Sequence, residues 1–579
     1  MVALLISWVF AGWISLVFGL AGSALTASLL HEDRRILAKA GPDYVFLLGF
    51  MLITSLVSIA SIFMPVNGYL VSAFALAGAG LTYWLRADLA AVYAGLRLGW
   101  KGLPWPVKVV ILTVFLMSMC AVILEFGESD VWFYHSQSIK WIREYAVVPG
   151  LGNVHGRFAF NSHFFISSAF FTLWFSSDHV VFSLASLFFF LFITRLVVLV
   201  QSNLAAQRWA DFILYSILAL ACTFQLFPEI HGTSTDGISA MILLYALLFF
   251  MDRPVFEASK MTGLLFFWML IMTAVTFKLS SVFAGVILLF TLKRLFAGRK
   301  LLVFAGAGLL ILAPFITRNI ILSGYLLYPV PQLDVLSVDW KIPMEEVILE
   351  KNLVSGWAKL PSGGAVTPIQ DIPKVLSMPF VPWFKAWWPN QSLKWQAIMI
   401  IDLFTVFLAA LALYRRKYTL AIVNFTVAFN LVFWFLEAPR PRFGFAFLFL
   451  GLGLVLSWVG APAVRRIKPN QFIFLLFPPL MMATSVLKNG VRYTEHFSAG
   501  LLWMPDYFQV RTEPLIFQAE NFTLNTPPAE PPAKGIWCYN LPLPCTPFPK
   551  QNLMMRGSDY QDGFRVDTKF SQQTHISNQ

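Results

Sequence analysis

Residues 2–21 form a predominantly apolar run long enough to cross the roughly 30 Å hydrocarbon core of a bilayer as one helix. Comparable runs follow at 43–64, 68–85, 107–125, 178–200, 211–227, 237–251, 262–277, 279–293, 301–317, 398–414, 419–436, 443–459 and 471–487, about fourteen in all. In lipid a chain must satisfy its backbone polar groups internally, which such runs do as helices. The expected fold class is an all-α polytopic membrane protein with about 14 transmembrane helices, interfacial helices on the outer side and a small exported C-terminal segment. Only 12% of residues are charged, against about 25% in soluble domains, so a soluble fold is excluded. The first run reads as a span and not as a cleaved signal, since no small-residue cleavage pattern follows a short apolar core. Several runs are only about fifteen residues long, which leaves boundaries and one or two helices open.

The net charge of +12 would fit nucleic acid, but its distribution does not. The connections His31 to Pro42, Arg86 to Lys108, Gln201 to Asp211, Asp252 to Met261, Lys293 to Lys300, Arg415 to Lys417 and Gly460 to Pro469 hold twenty Lys and Arg residues and alternate with nearly uncharged ones. That is the positive-inside pattern, and it predicts both termini on the opposite side of the membrane, the periplasm or exterior. The stretch Asn161 to Phe175 is then an interfacial or re-entrant helix, because a full crossing there would invert every later basic loop. The expected layout is an N-terminal three-helix extension at 1–106 and a transmembrane core at 107–317 with a first outer loop at 126–177. A large outer loop at 318–397, C-terminal helices at 398–487 and an outer C-terminal domain with a polar tail at 488–579 complete it.

The outer connections carry chemistry. "GESDVWFYHSQSIKWIREY" opens the first loop with Glu128 and Asp130, then places polar Ser136, Gln137, Lys140, Arg143 and Glu144 opposite Tyr134, Ile139, Trp141 and Ile142. This amphipathic pattern predicts an interfacial helix with carboxylates at the membrane mouth. The plainer alternative makes Asp130 an N-cap and Glu128 a dipole partner. "PEIHGTSTDGIS" presents Glu229, His231 and Asp236, where Asp236 also fits a helix start. Lys278 in "TFKLSS" and Arg440 and Arg442 in "LEAPRPRFG" are the only Lys or Arg in the short outer loops. Cations in these positions are costly without an anionic partner and suit a phosphate ligand. Arg318 in "ITRNIILSGYLLYP" lies at a span exit, where snorkelling arginines are common. Trp-rich "PWFKAWWPNQSLKW" at 382–395 is either an aromatic belt or a cover over an acceptor site. Cys538 and Cys545 in "CYNLPLPC" either form a short disulfide on the oxidising side or remain free thiols, and Cys120 and Cys222 pack within spans.

Taken together, "ESDVWFYH", "STDG", "TFKLSS", "TRNIILSGYLLYP" and "EAPRPRFG" resemble the GT-C superfamily of membrane glycosyltransferases, and more closely a sparsely characterised bacterial multi-pass branch. The likeness covers roughly residues 107–460. Three extra spans at the N-terminus and the pairing of Glu437 with two arginines depart from the general pattern. The resemblance implies a polyprenyl-phosphate-linked sugar as donor and transfer on the periplasmic face to a glycan, lipid or protein acceptor. Asp130 would be the general base, with Glu128 its substitute. Lys278, Arg318, Arg440 and Arg442 would hold the departing phosphate, with His135 and Arg157 as further donor contacts. Asp236, His231 and Glu437 would position the acceptor or support the site. One base and one displacement predict inversion at the anomeric carbon. No metal is required, although Glu128, Asp130 and Asp236 are a set that Mg²⁺ or Mn²⁺ would accept. Competing readings are a lipid-linked glycan flippase, a surface-polysaccharide polymerase or ligase, and a noncatalytic assembly subunit; nucleic acid is not an expected partner.

Overall fold

The first apolar run becomes a 29-residue helix, α1 (Val2–Leu30), which crosses α2 (Pro42–Phe63) closely. Small residues make this possible: a Cβ added to Gly49 would lie 1.7 Å from the Ser15 carbonyl oxygen, and one added to Gly19 would lie 1.9 Å from that of Val45. The computed structural model describes residues 2–123, 130–172, 182–230, 232–252, 260–295, 298–361, 371–467, 469–477, 480, 513–529, 537–539 and 541–567. Glu128, His231, the polar tail and most of 471–487 fall outside them.

After α2 the chain turns through Asn67, whose side chain accepts from the amides of Tyr69 and Leu70 and so starts α3 (Gly68–Trp84). An 83° bend leads into α4 (Arg86–Gly102), and α5 (Trp105–Ile123) descends to the candidate site. Beyond it come α6 (Ser136–Glu144), α7 (His163–Phe171), α8 (Leu184–Ala205), α9 (Trp209–Leu226), α10 (Thr235–Met251), α11 (Lys260–Phe277) and α12 (Arg299–Ser323). The loop helix α13 (Met344–Lys359) precedes the near-continuous pair α14 (Leu393–Asp402) and α15 (Phe404–Tyr414), then α16 (Tyr418–Glu437) and α17 (Phe445–Ile467). The core is apolar and aromatic, with α9 wedged between α8 and α17 and α10 against α11.

Ten helices among the described residues are long and apolar enough to cross a bilayer, or up to 11 when the bent pair α3 and α4 counts as one. The difference from about fourteen has local causes. Residues 279–293 do not form a spanning helix: Lys278 is extended (φ −147, ψ 117), and the chain continues as a 3-10 segment, Leu279–Gly285, and a short turn, Val286–Leu289. α10 is 17 residues long. The described start of the last run is a 3-10 turn, Gln471–Leu476. α7 is only nine residues, about 14 Å, too short to cross, and all nine are buried.

α6 is set differently from an interfacial helix. Both of its faces are covered by protein, with Trp141 2% and Gln137 0% exposed. Its polar face is occupied by the C-terminal segment: Ser136 Oγ and Gln137 Nε2 donate to the Tyr539 carbonyl at 3.0 Å, and Gln137 Nε2 and Lys140 Nζ donate to that of Leu541. The polar side thus binds backbone carbonyls and not water. That segment contains two antiparallel pairs, β1 (Leu515–Gln518) with β2 (Thr523–Thr526) and β3 (Leu553–Met555) with β4 (Phe564–Val566). Cys538 and Cys545 are joined by a disulfide inside it.

Candidate active site

Six separate stretches meet at one end of the helical core. A single turn of π-helix, Val131–His135, leads into α6, and Asp130 stands at its N-cap position. Its side chain makes no capping hydrogen bond. Instead Oδ1 accepts from Arg157 Nη1 at 3.2 Å and Oδ2 from Arg442 Nη2 at 3.4 Å. The capping alternative therefore does not account for this carboxylate.

Arg157 lies on a 3-10 turn, Gly156–Ala159, started by His155, whose Nδ1 accepts the Arg157 amide at 3.3 Å. Its guanidinium sits 4.9 Å from the Phe133 ring centre and 5.4 Å from that of Tyr134, and its Nε donates to Glu350 Oε1 at 3.2 Å. Glu350 comes from α13, on the large outer loop. Asp236, in the first turn of α10, pairs with Lys278 and lies 3.5 Å from Arg442 Nε. Lys278 reaches it from the helix break after α11, with its ammonium 4.0 Å from the Phe443 ring centre.

The result is a continuous series of alternating charges: Glu350, Arg157, Asp130, Arg442, Asp236, Lys278. Three carboxylates face three cations, so the described series is balanced without a ligand. Arg440 stands beside it, 4.6 Å from the Trp357 ring centre, with no carboxylate partner among the described residues. Burial weakens its proton affinity and so does Arg442 close by, which makes it a cation with unspent attraction for an anion.

Burial alone would raise the Asp130 carboxyl, but the cations around it, Arg157 first and then Arg442 and Lys278, outweigh it and hold the group below its ordinary 3.8. Glu350 is shifted the other way, since burial outweighs Arg157. Burial lowers both His135 and His155 to about 3, so each imidazole is neutral. His135 Nδ1 lies 3.1 Å from Thr233 Oγ1, tying the π-helical turn to the loop before α10. That is a positioning contact and not a cationic phosphate contact.

Of the sequence-derived candidates, Asp130, Arg157, Asp236, Lys278 and Arg442 come together, with Arg440 adjacent. Arg318 does not join them; it is buried against Asn161 and Ser61. Glu437 is exposed, and its backbone carbonyl accepts from Ser355 Oγ. Glu128 and His231 lie outside the described residues, so the metal set containing Glu128 has only Asp130 and Asp236 placed. Glu350 and Trp357 escaped sequence reasoning, because α13 is amphiphilic and rich in other charges and marks neither residue locally.

The family described as Domain of unknown function (DUF8201) matches residues 1–449. The chain belongs to this family. The DUF8201 region contains every member of the charge series and stops short of the described C-terminal segment that covers α6. No curated protein and no solved structure matches the chain.

Proposed function

We propose that this DUF8201 protein is a membrane glycosyltransferase of GT-C type that moves a sugar from a polyprenyl-phosphate donor to an acceptor at the periplasmic face of a bacterial inner membrane. The observation that carries the reading is the convergence of Asp130 on Arg157 and Arg442 beside Arg440, a carboxylate and phosphate-binding cations within one cluster. Asp130 takes the acceptor hydroxyl proton as that oxygen attacks the anomeric carbon. The bond from the anomeric carbon to the phosphate oxygen breaks, its electron pair leaves with the phosphate, and Arg440, Arg442 and Lys278 meet the developing charge. Attack opposite the leaving group inverts the anomeric centre.

The lowered proton affinity of Asp130 fits this order of events. In the resting cluster its carboxylate is stabilised by two arginines and is a weak base. A donor phosphate that draws Arg442 away removes part of that stabilisation and strengthens the base when substrate is present. Asp236 holds Lys278 and Arg442 in place, and Arg157 with Glu350 holds Asp130 from the other side. The buried disulfide suits an oxidising compartment on the same face.

A second reading, a transporter of lipid-linked glycan, draws on a different feature. Asp402, at the break between α14 and α15, is 3% exposed with neither carboxylate oxygen hydrogen bonded among the described residues, and intramembrane carboxylates often mark transport paths. The deciding experiment supplies radiolabelled polyprenyl-phosphate sugars and a membrane glycan extract to the purified chain in proteoliposomes. The Asp130→Asn variant is expected to lose transfer by about 100-fold or more. Undiminished transfer in both Asp130→Asn and Glu128→Gln sinks the assignment. Movement of labelled lipid between leaflets with no new glycosidic bond selects the transporter.

A further inference from the structure

Arg318, near the end of α12, is 3% exposed. Its Nε donates to Asn161 Oδ1 at 3.1 Å, and its Nη1 to Ser61 Oγ at 2.8 Å and the Ser61 carbonyl at 3.4 Å. All three acceptors are neutral, and among the described residues no carboxylate pairs with it. Ser61 lies in the last turn of α2, whose negative dipole end offsets part of the charge. A buried guanidinium without a full counter-charge remains unfavourable.

The same guanidinium lines a partly open cavity of about 20 Å³ together with Ser138, Trp141, Tyr145, Asn161 and Phe165. The Trp141 indole N–H is buried and has no acceptor among the described residues. The serine and asparagine side chains of the wall are already engaged: Ser138 and Ser162 hydroxyls donate to the Tyr134 and Phe277 carbonyls, and Asn161 Nδ2 donates to that of Phe315. The cavity therefore offers a positive charge and an unspent donor, with no acidic side chain in its wall. A water molecule would satisfy the indole but leave the charge uncompensated and bring protons of its own. The volume exceeds the roughly 10–15 Å³ needed by one water and is of the size that a single monatomic anion fills.

We propose that this cavity binds one monovalent halide, chloride under ordinary conditions, between the Arg318 guanidinium and the Trp141 indole N–H. The site is separate from the charge series. Phe160 and Phe165, which wall it, pack on the Tyr134 ring that lies beneath Arg157. A bound halide joins α12 to α6 and so steadies the helix that follows Asp130.

The test uses the full chain in detergent, exchanged into sodium gluconate and heated while chloride or bromide replaces gluconate at constant ionic strength. The wild type is expected to gain thermal stability saturably with either halide. Trp141→Phe keeps an aromatic ring but loses the donor, and should raise the half-saturating chloride about tenfold, the usual effect of losing one hydrogen bond to a charged group. Arg318→Gln should abolish the response. A wild type indifferent to halide, which would mean water alone in the cavity, overturns the proposal, and so does an equal response in Trp141→Phe. The second variant decides the matter even where Arg318→Gln fails to fold.

Discussion

At Asp130 two arginines act against burial, and the balance yields a prediction with a definite sign. Because the carboxyl is held below 3.8, its ionised form contributes stability that is complete above that ordinary value and is lost as pH falls through the lowered one. The acid limb of the transfer rate should lie at correspondingly low pH. Replacing Arg157 with Gln removes the largest charge that lowers Asp130, so the limb should move upward by about one unit in a pH profile of kcat/KM. Glu350→Gln should act in the opposite direction, since it releases Arg157 to Asp130 alone. A limb that moves the same way in both variants would dissociate Glu350 from the pair. The unequal visibility of these residues in the sequence has a physical basis. Lys278, Arg440 and Arg442 stand out because cations are disfavoured in short outer loops, and Asp130 and Asp236 because they interrupt apolar surroundings. Glu350 shares α13 with Glu345, Glu346, Lys351 and Lys359, and only the tertiary fold gives it Arg157.

α6 illustrates how an element can be legible while its surroundings are not. Its amphipathic pattern correctly marks one apolar and one polar face, but the same pattern serves a lipid interface or a protein carbonyl surface. Here Tyr539 and Leu541, about 400 positions away, supply that surface. The loop closed by Cys538 and Cys545 carries both contacts, so Cys538→Ser with Cys545→Ser should weaken the cover over α6 by about 2 kcal/mol and lower the thermal unfolding midpoint. An unchanged midpoint would mean that the hydrogen bonds hold the loop by themselves. The crossing of α1 and α2 makes a sharper case. Gly49→Ala places a methyl carbon against the Ser15 carbonyl, with no flexible side chain to yield, and should cost roughly 1–3 kcal/mol. Size-exclusion profiles of the detergent-solubilised chain after graded heating would register the loss, and a profile equal to the wild type would show that the helices part freely.

Across the whole molecule the charges separate by face. Arg34 and Arg35 pair with Asp88, and Arg299 meets His31, at the end of the helical core away from the charge series. The turn holding Arg415 and Lys417 joins α15 to α16 at that same end, whereas the turn from α16 to α17 brings Arg442 to Asp130. Helix ends thus sort into a basic face and a charge-balanced face, the separation that loop composition anticipates. The bilayer orientation of these faces decides between the proposed chemistry and its reverse. After replacement of Cys120 and Cys222 with Ala, single cysteines at exposed Gln332, beyond α12 on the site face, and at exposed Lys417 would report it. A membrane-impermeant maleimide should label Gln332→Cys in intact spheroplasts, and Lys417→Cys only after permeabilisation. The positive-inside bias of the basic loops drives this expectation, because translocating them against the membrane potential is unfavourable. The reverse labelling would place Asp130 and its arginines in the cytoplasm, beside nucleotide-activated donors, and a lipid-phosphate donor used at the periplasmic face would no longer reach the carboxylate that is to act on it.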